Sequence, residues 1–292
     1  MPAPTWASFA IAILMSHTLH AAPPRQLRDL EYAQTATGTL RFDAALPAAE
    51  APTPAAIIVH GGAWVRGDRR QAVEPLFAPL TEAGIAWFSI SYTLATNPLE
   101  IGSAVTDVEA AIGFIRSHAA EYHIDPNRIA LIGESAGGQL AAMAALGDTA
   151  GHDIKAVVAL YTPTDLVALA RTSQLIPEVI RKQITGTVWA NLILARLGQL
   201  SPIGAVRAGM PPFLFIHGDS DLLVPIDQSR AMCESMKAVG TDCRLITVPG
   251  GGHGLRWWES SPARSEPYKR EMVEWLRQQL AVVPQELELD FY

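Results

Sequence analysis

Arg128-Ile129-Ala130-Leu131-Ile132 is a short apolar run of strand type, Gly133-Glu134-Ser135-Ala136-Gly137-Gly138 follows it, and Gln139 to Leu146 beyond is Ala-rich and helical. A turn must join the strand to the helix within a few residues. In a G-x-S-x-G elbow the serine takes a strained backbone conformation, tolerated because its neighbours at minus two and plus two have no Cβ to clash. Here those neighbours are Gly133 and Gly137, with Gly138 adding room. Such a turn lifts the Ser135 hydroxyl off the sheet. It also places the Ala136 N–H at a helix N-terminus, where orphan donors and the helix dipole favour an oxyanion. A pentapeptide this short also arises by chance, and it is the strand before it and the helix after it that give it weight.

The elbow fits an alternating chain. Ala56 to His60 and Ile85 to Ile90 are unbroken apolar runs of the kind buried on both faces of a parallel sheet, and so are Ile154 to Tyr161 and Pro212 to His217. Between them lie helical patterns, Glu74 to Ala83 closed by Gly84, Leu99 to Tyr122 ending near Asp125-Pro126, and Ile226 to Val239 closed by Gly240. Leu30 to Ala33 and Thr39 to Ala44 read as an opening hairpin, Cys243 to Val248 as the last strand, and Ser265 to Val282 as a closing amphipathic helix. The expectation is an α/β fold with a mostly parallel sheet of about eight strands and helices on both faces. From Asp165 to Met210 the rhythm loosens, Trp189 to Leu197 being the clearest helical fragment. An insertion after a strand is where a lid or pocket wall would lie, although an ordinary packing excursion reads the same way.

Composition bounds the function. Of 292 residues, 49% are hydrophobic and 17% charged, so one domain can bury a full core. A net charge of −7 with both signs mixed leaves no basic stripe, which argues against nucleic acid as a partner. Residues 1–22 carry an apolar stretch, Trp6 to Leu19, ending at small residues. They read as a signal peptide for export to the periplasm or beyond, with an uncleaved anchor as the competing reading because no Lys or Arg precedes the stretch. Residues 23–283 would then form the domain, without a membrane span, and 284–292 an acidic tail. The two cysteines, Cys233 and Cys243, either pair or are both small buried hydrophobes; neither has metal-site spacing.

The candidate chemistry falls at strand ends, where open parallel sheets form their ligand crevice. His60-Gly61-Gly62-Ala63-Trp64 follows the first central strand, and its glycines let backbone N–H groups of Gly62 and Ala63 approach a bound oxygen, or serve only chain reversal. Gly218-Asp219-Ser220-Asp221 follows the Phe213 strand, and Gly250-Gly251-Gly252-His253-Gly254 follows the last one. Serine, acid, histidine in this order belongs to one fold rather than to triads generally. A serine hydroxyl needs an imidazole to take its proton, and the imidazole needs a carboxylate to fix its tautomer. Ser135, His253 and Asp221 fill those roles. Asp221 is preferred to Asp219 because it stands closer to Val224-Pro225, leaving Asp219 as a turn residue. His60 and His217 read as hydrogen-bonded supports, and Glu134 as a local hydrogen-bonding and electrostatic partner. Trp64 and Tyr161 are the candidate substrate-binding aromatics.

These motifs resemble the α/β-hydrolase superfamily, and within it the H-G-G esterases and lipases and the feruloyl and acetylxylan esterase-like group. The resemblance is carried by Leu40-Arg41-Phe42-Asp43, His60 to Trp64 and Gly133 to Gly138, then by His217-Gly218-x-x-Asp221-x-x-Val224-Pro225 and Gly252-His253-Gly254. It implies Ser135 as nucleophile, Asp221 as acid and His253 as base. Gly62, Ala63 and Ala136 would be oxyanion donors, and no cofactor or metal would be needed. The implied substrate is a carboxylic ester, small or attached to a polysaccharide. Ala63 stands where many relatives have a third glycine, which leaves its N–H in place. A peptidase of prolyl-oligopeptidase type shares the motif order but usually carries a large extra domain, for which this chain has no room. A non-catalytic hydrolase-fold binding module typically lacks a triad member.

Overall fold

The apolar runs become strands flanked on both faces. A computed structural model describes residues 22–97, 100–147, 153–172 and 188–281. The expected signal segment apart from Ala22, the middle of the expected insertion (173–187) and the acidic tail lie outside the described residues. The strands are β1 (Arg25–Thr35), β2 (Gly38–Leu46), β3 (Thr53–Val59) and β4 (Ala86–Ile90), then β5 (Ile124–Glu134), β6 (Ile154–Leu160), β7 (Phe213–Gly218) and β8 (Cys243–Val248). They form one eight-stranded sheet in the order β1-β2-β4-β3-β5-β6-β7-β8. Only the pairings of β2 with β1 and β4 are antiparallel; all others are parallel.

Alternate residues of β5 face two separate cores, which is why its sequence is apolar without a break. Ile129 and Leu131 pack in one with Val108 and Ile112 of α2 (Ile101–Ser117), Leu140 of α3 (Ala136–Leu146) and Met232 further along the chain. Ala130 and Ile132 face the other core, with Leu80 of α1 (Phe77–Glu82) and with Met272 and Trp275 of the closing helix. The remaining described helices are α4 (Leu166–Thr172), α5 (Val188–Gln199), α6 (Asp227–Ala238), α7 (Leu255–Glu259) and α8 (Pro262–Gln279). No helix among the described residues is long and apolar enough to cross a membrane.

Several boundaries differ from the sequence expectation for identifiable reasons. The hairpin strands run well beyond their apolar centres, because an edge ladder with one buried face accepts polar residues, and pairing continues to Arg25↔Leu46. The expected helix from Glu74 is a 3₁₀ turn, Glu74–Leu76, followed by α1; Pro75 and Pro79 both lack a donor N–H there. Helix α2 stops at Ser117, and His123, at φ 52°, turns the chain into β5. Helix α8 begins at Pro262, ahead of Ser265, since a proline at the first helical position needs no hydrogen bond. The short helix α7 was not anticipated at all. Cys233 of α6 and Cys243 of β8 are joined by a disulfide, with Cα atoms 5.4 Å apart.

One ionic cluster ties the hairpin to the loop after β3. The buried Asp43 carboxylate accepts the Asp29 N–H at 2.8 Å and guanidinium N–H groups from Arg28 at 3.2 Å, Arg69 at 3.1 Å and Arg70 at 2.5 Å. Burial alone would raise its pKa. The bonds from Arg70, Asp29 and Arg69 outweigh that and hold it well below the ordinary carboxylate range.

Candidate active site

Sheet order decides which loops meet. The chain leaves β3 for β4 on one side and returns to β5 on the other, so the crevice opens between β3 and β5 at their carboxyl ends. Their register pairs Val59 with Gly133, which sets His60-Gly61-Gly62-Ala63 directly beside Glu134-Ser135-Ala136. The approach is close. A Cβ on Gly137 would lie 2.2 Å from the Val59 carbonyl oxygen, and one on Gly133 2.3 Å from that of Gly137, so both positions demand glycine. Ser135 sits at φ 52°, ψ −120°, the strained elbow geometry that the sequence implies.

The Ser135 Oγ lies 2.9 Å from Nε2 of His253, and Nδ1 of His253 lies 2.7 Å from Oδ2 of Asp221. Oδ1 of Asp221 accepts the N–H groups of Leu223 and Val224, both at 2.9 Å. Nε2 of His217 is 3.5 Å from Oδ2. Burial pushes the Asp221 pKa upward, but the bonds from His217 and His253, the charge that His253 can carry and the Val224 N–H together hold it below the usual range. An ionised carboxylate only accepts, so Nδ1 carries the imidazole proton and Nε2 is left to accept from the serine hydroxyl. Asp219 lies apart from this chain of bonds and accepts the Gly250 N–H at 2.7 Å.

On the facing loop the Gly62 carbonyl accepts the N–H groups of Val65 at 3.2 Å and Arg66 at 3.1 Å, closing a tight turn. Gly62, Ala63 and Trp64 all have positive φ. The Ala63 N–H has no acceptor among the described residues, and the Ala136 N–H opens α3 ahead of any intrahelical acceptor. Ala63, Ser135 and Ala136 are part of the wall of a cavity of about 460 Å³, and Gly62 is not. Trp64 is, its indole N–H donating to Oε1 of Gln139 at 2.8 Å. The rest of the wall is largely aliphatic, including Ile101, Leu166, Leu169, Leu197 and Leu223. Part of the expected insertion thus borders the cavity, through α4 and α5.

Tyr161 is not in that wall, contrary to its expected place. At φ 37° it turns inward after β6, is fully buried, and meets the His253 ring edge-on with centroids 4.8 Å apart. Its hydroxyl donates to Oε2 of Glu134 at 2.7 Å and accepts the Leu255 N–H at 3.2 Å. Burial, and then the charge of Glu134, raise its pKa well above the ordinary phenol value. His217 and His60 are buried and hydrogen-bonded, His217 to Ser229 and the Val224 carbonyl, His60 to the Gly61 carbonyl. Sequence reasoning missed Gln139 and Ser229, which orient Trp64 and His217, and it read Tyr92 only as aromatic surface, whereas Tyr92 stacks on His60 and donates to its carbonyl; these partners are remote in sequence and nothing local marks them.

A mostly parallel sheet of eight strands with this elbow at its centre defines an α/β-hydrolase. The family model BD-FAE matches residues 42–236, and the chain belongs to that family. It is similar to Esterase LipC of Mycobacterium tuberculosis, 30% identical over an alignment 233 positions long that covers 70% of this chain and 53% of the relative. The chain spans about half the length of the curated relatives it matches first. Among solved structures it is similar to a truncated carbohydrate esterase from gut microbiota (28% identity, TM-score 0.68, covering 89% of this chain and 97% of that one). It shares its fold with a thermophilic esterase of Thermogutta terrifontis (23% identity, TM-score 0.71, 89% and 94% covered).

Proposed function

We propose that the protein is a serine hydrolase of carboxylic esters that works through an acyl-enzyme. The observation that carries this reading is the unbroken line from Ser135 Oγ through His253 to Asp221, at 2.9 and 2.7 Å, opening into the cavity. His253 Nε2 takes the serine proton as Oγ attacks the ester carbonyl, and the imidazolium is held by Asp221. The N–H groups of Ala63 and Ala136, with Gly62 as a further candidate, face the oxygen on which charge develops. The imidazolium then protonates the departing alcohol, and water, activated by the same ring, releases the acid and regenerates Ser135.

The aliphatic cavity supports small esters with an apolar acyl group over esters of a sugar chain. Burying a sugar hydroxyl without a partner costs free energy, and the described wall offers few polar side chains for one. Export is part of the proposal, supported by the disulfide, which forms in oxidising compartments. Ser135→Ala should abolish fluorophosphonate labelling and reduce ester turnover by about 10⁶-fold, with folding intact. Labelling that persists removes Ser135 from the mechanism. A panel of p-nitrophenyl esters of rising acyl length, methyl ferulate and acetylated xylan reads the substrate class, and preference for acetylated xylan overturns the apolar-ester reading.

A further inference from the structure

The residue before the nucleophile is a buried carboxylate whose two oxygens reach in different directions. Oε1 of Glu134 accepts the Gly61 N–H at 2.7 Å, at the root of the loop that carries Ala63. Oε2 accepts the Tyr161 hydroxyl at 2.7 Å, and Tyr161 in turn holds the Leu255 N–H and lies edge-on to the His253 ring. The loop that bears the oxyanion donors and the loop that bears the imidazole are far apart in the chain. One side chain connects both to the elbow.

A carboxylate is the side chain this place requires. The Gly61 N–H can only donate. The Tyr161 oxygen already takes the Leu255 N–H, so its own proton must be donated elsewhere. Two donors therefore converge on one buried group, and only an acceptor at both ends satisfies them; an amide would turn an N–H₂ toward one. A Cβ on Gly61 would lie 2.5 Å from Oε1, so the loop is pressed closely against this carboxylate. Tyr161 is held at φ 37°, a conformation that a bulky residue keeps only when its surroundings fix it.

We propose that Glu134 is a positioning residue for the ester hydrolysis inferred above: by holding Gly61 and Tyr161 together, it keeps the loop of the oxyanion donors and the His253 imidazole aligned on Ser135 at the same time. It touches no reacting atom and moves no proton. Its contribution lies in alignment, where a displacement of about 1 Å costs about 10²-fold in rate.

The experiment compares Glu134→Gln, Tyr161→Phe and the double variant with the wild-type protein in p-nitrophenyl butyrate hydrolysis and in the rate of fluorophosphonate labelling, with melting temperatures recorded alongside. Expected for Glu134→Gln is a fall in kcat of about 10²-fold, a KM close to that of the wild type and an equal fall in labelling rate. Tyr161→Phe should fall in the same sense, and the double variant should be no worse than the worse single one, because both break one connection. A wild-type kcat in Glu134→Gln, a loss confined to KM, or losses in the two variants that multiply would each overturn the proposal. If Glu134→Gln does not fold, Tyr161→Phe alone decides it by the same split of kcat from KM. A wild-type protein inert to esters and to the phosphonate would defeat the hydrolase reading itself, whereas an active wild type with an equally active Glu134→Gln defeats only the role given to Glu134.

Discussion

Two parts of the cavity lining are built by different means. In one, Ala63 and Ser135 sit at turns and Ala136 opens α3, and their surroundings are fixed by directional bonds to buried polar groups: Glu134 on Gly61, Asp221 on His253 and the Leu223 and Val224 amides, Gln139 on Trp64. In the other, Leu166, Leu169 and Leu197 come from α4 and α5 and meet the cavity with aliphatic carbon. The polar bonds of that part lie at helix ends, as where Ser201 Oγ accepts the Leu166 N–H at 2.9 Å and donates to the Leu197 carbonyl at 2.8 Å. Hydrogen bonds specify angle and distance, which bond-making requires; apolar contact specifies only volume, which suits a wall that sorts ligands by size. One part should therefore govern rate and the other preference.

The sharpest break would come at Asp221. Asp221→Asn keeps the shape but offers the imidazole an amide in place of an ionised acceptor, and kcat should fall about 10⁴-fold in a p-nitrophenyl ester assay, with the order of acyl-chain preference unchanged. A change in that order would mean that the two parts are not separable. Less severe is Leu197→Trp, which fills the aliphatic part: the ratio of hexanoate to acetate hydrolysis should drop by about 10- to 100-fold while acetate turnover stays near the wild-type value. The smallest effect lies outside the cavity, at Asp43. Its carboxyl titrates lower in the folded chain than in the unfolded one, so its stabilisation is fully present above the ordinary carboxylate pKa of about 3.9 and disappears as pH falls toward the depressed folded value. Asp43→Asn should lower stability by about 2 kcal/mol near neutral pH, measured by urea unfolding, and the gap to the wild type should close on acidification. A gap that widens in acid would contradict the sign.

What was legible in the sequence is what local sterics enforce. The elbow announces itself because Gly133 and Gly137 have backbone pressed onto the places their Cβ atoms would occupy, a demand visible within five residues. The choice of Asp221 over Asp219 was readable from its offset to Val224-Pro225, and the structure places Asp221 on the imidazole and Asp219 on Gly250. Tyr161 was misplaced because its direction depends on a positive φ after β6, which an aromatic residue at a strand end does not advertise. The double grip of Glu134 was invisible for a related reason: its partners are 73 and 27 residues away, and only the pairing of β3 with β5 and of β5 with β6 brings them together. Helix α7 escaped notice because Leu255-Arg256-Trp257-Trp258-Glu259 is too short to display a helical period.

His253 hangs from an edge of the sheet. Among the described residues β8 has a single neighbour, and the chain runs from it directly into the glycines that present His253. A terminal strand is held by one ladder instead of two, so a rivet between Cys233 and the opening residue of β8 guards the placement of His253 as much as the fold. Where thiols are kept reduced, Ser135 on its central strand would stay in place while His253 drifted, and the proposed activity would fade before the architecture did.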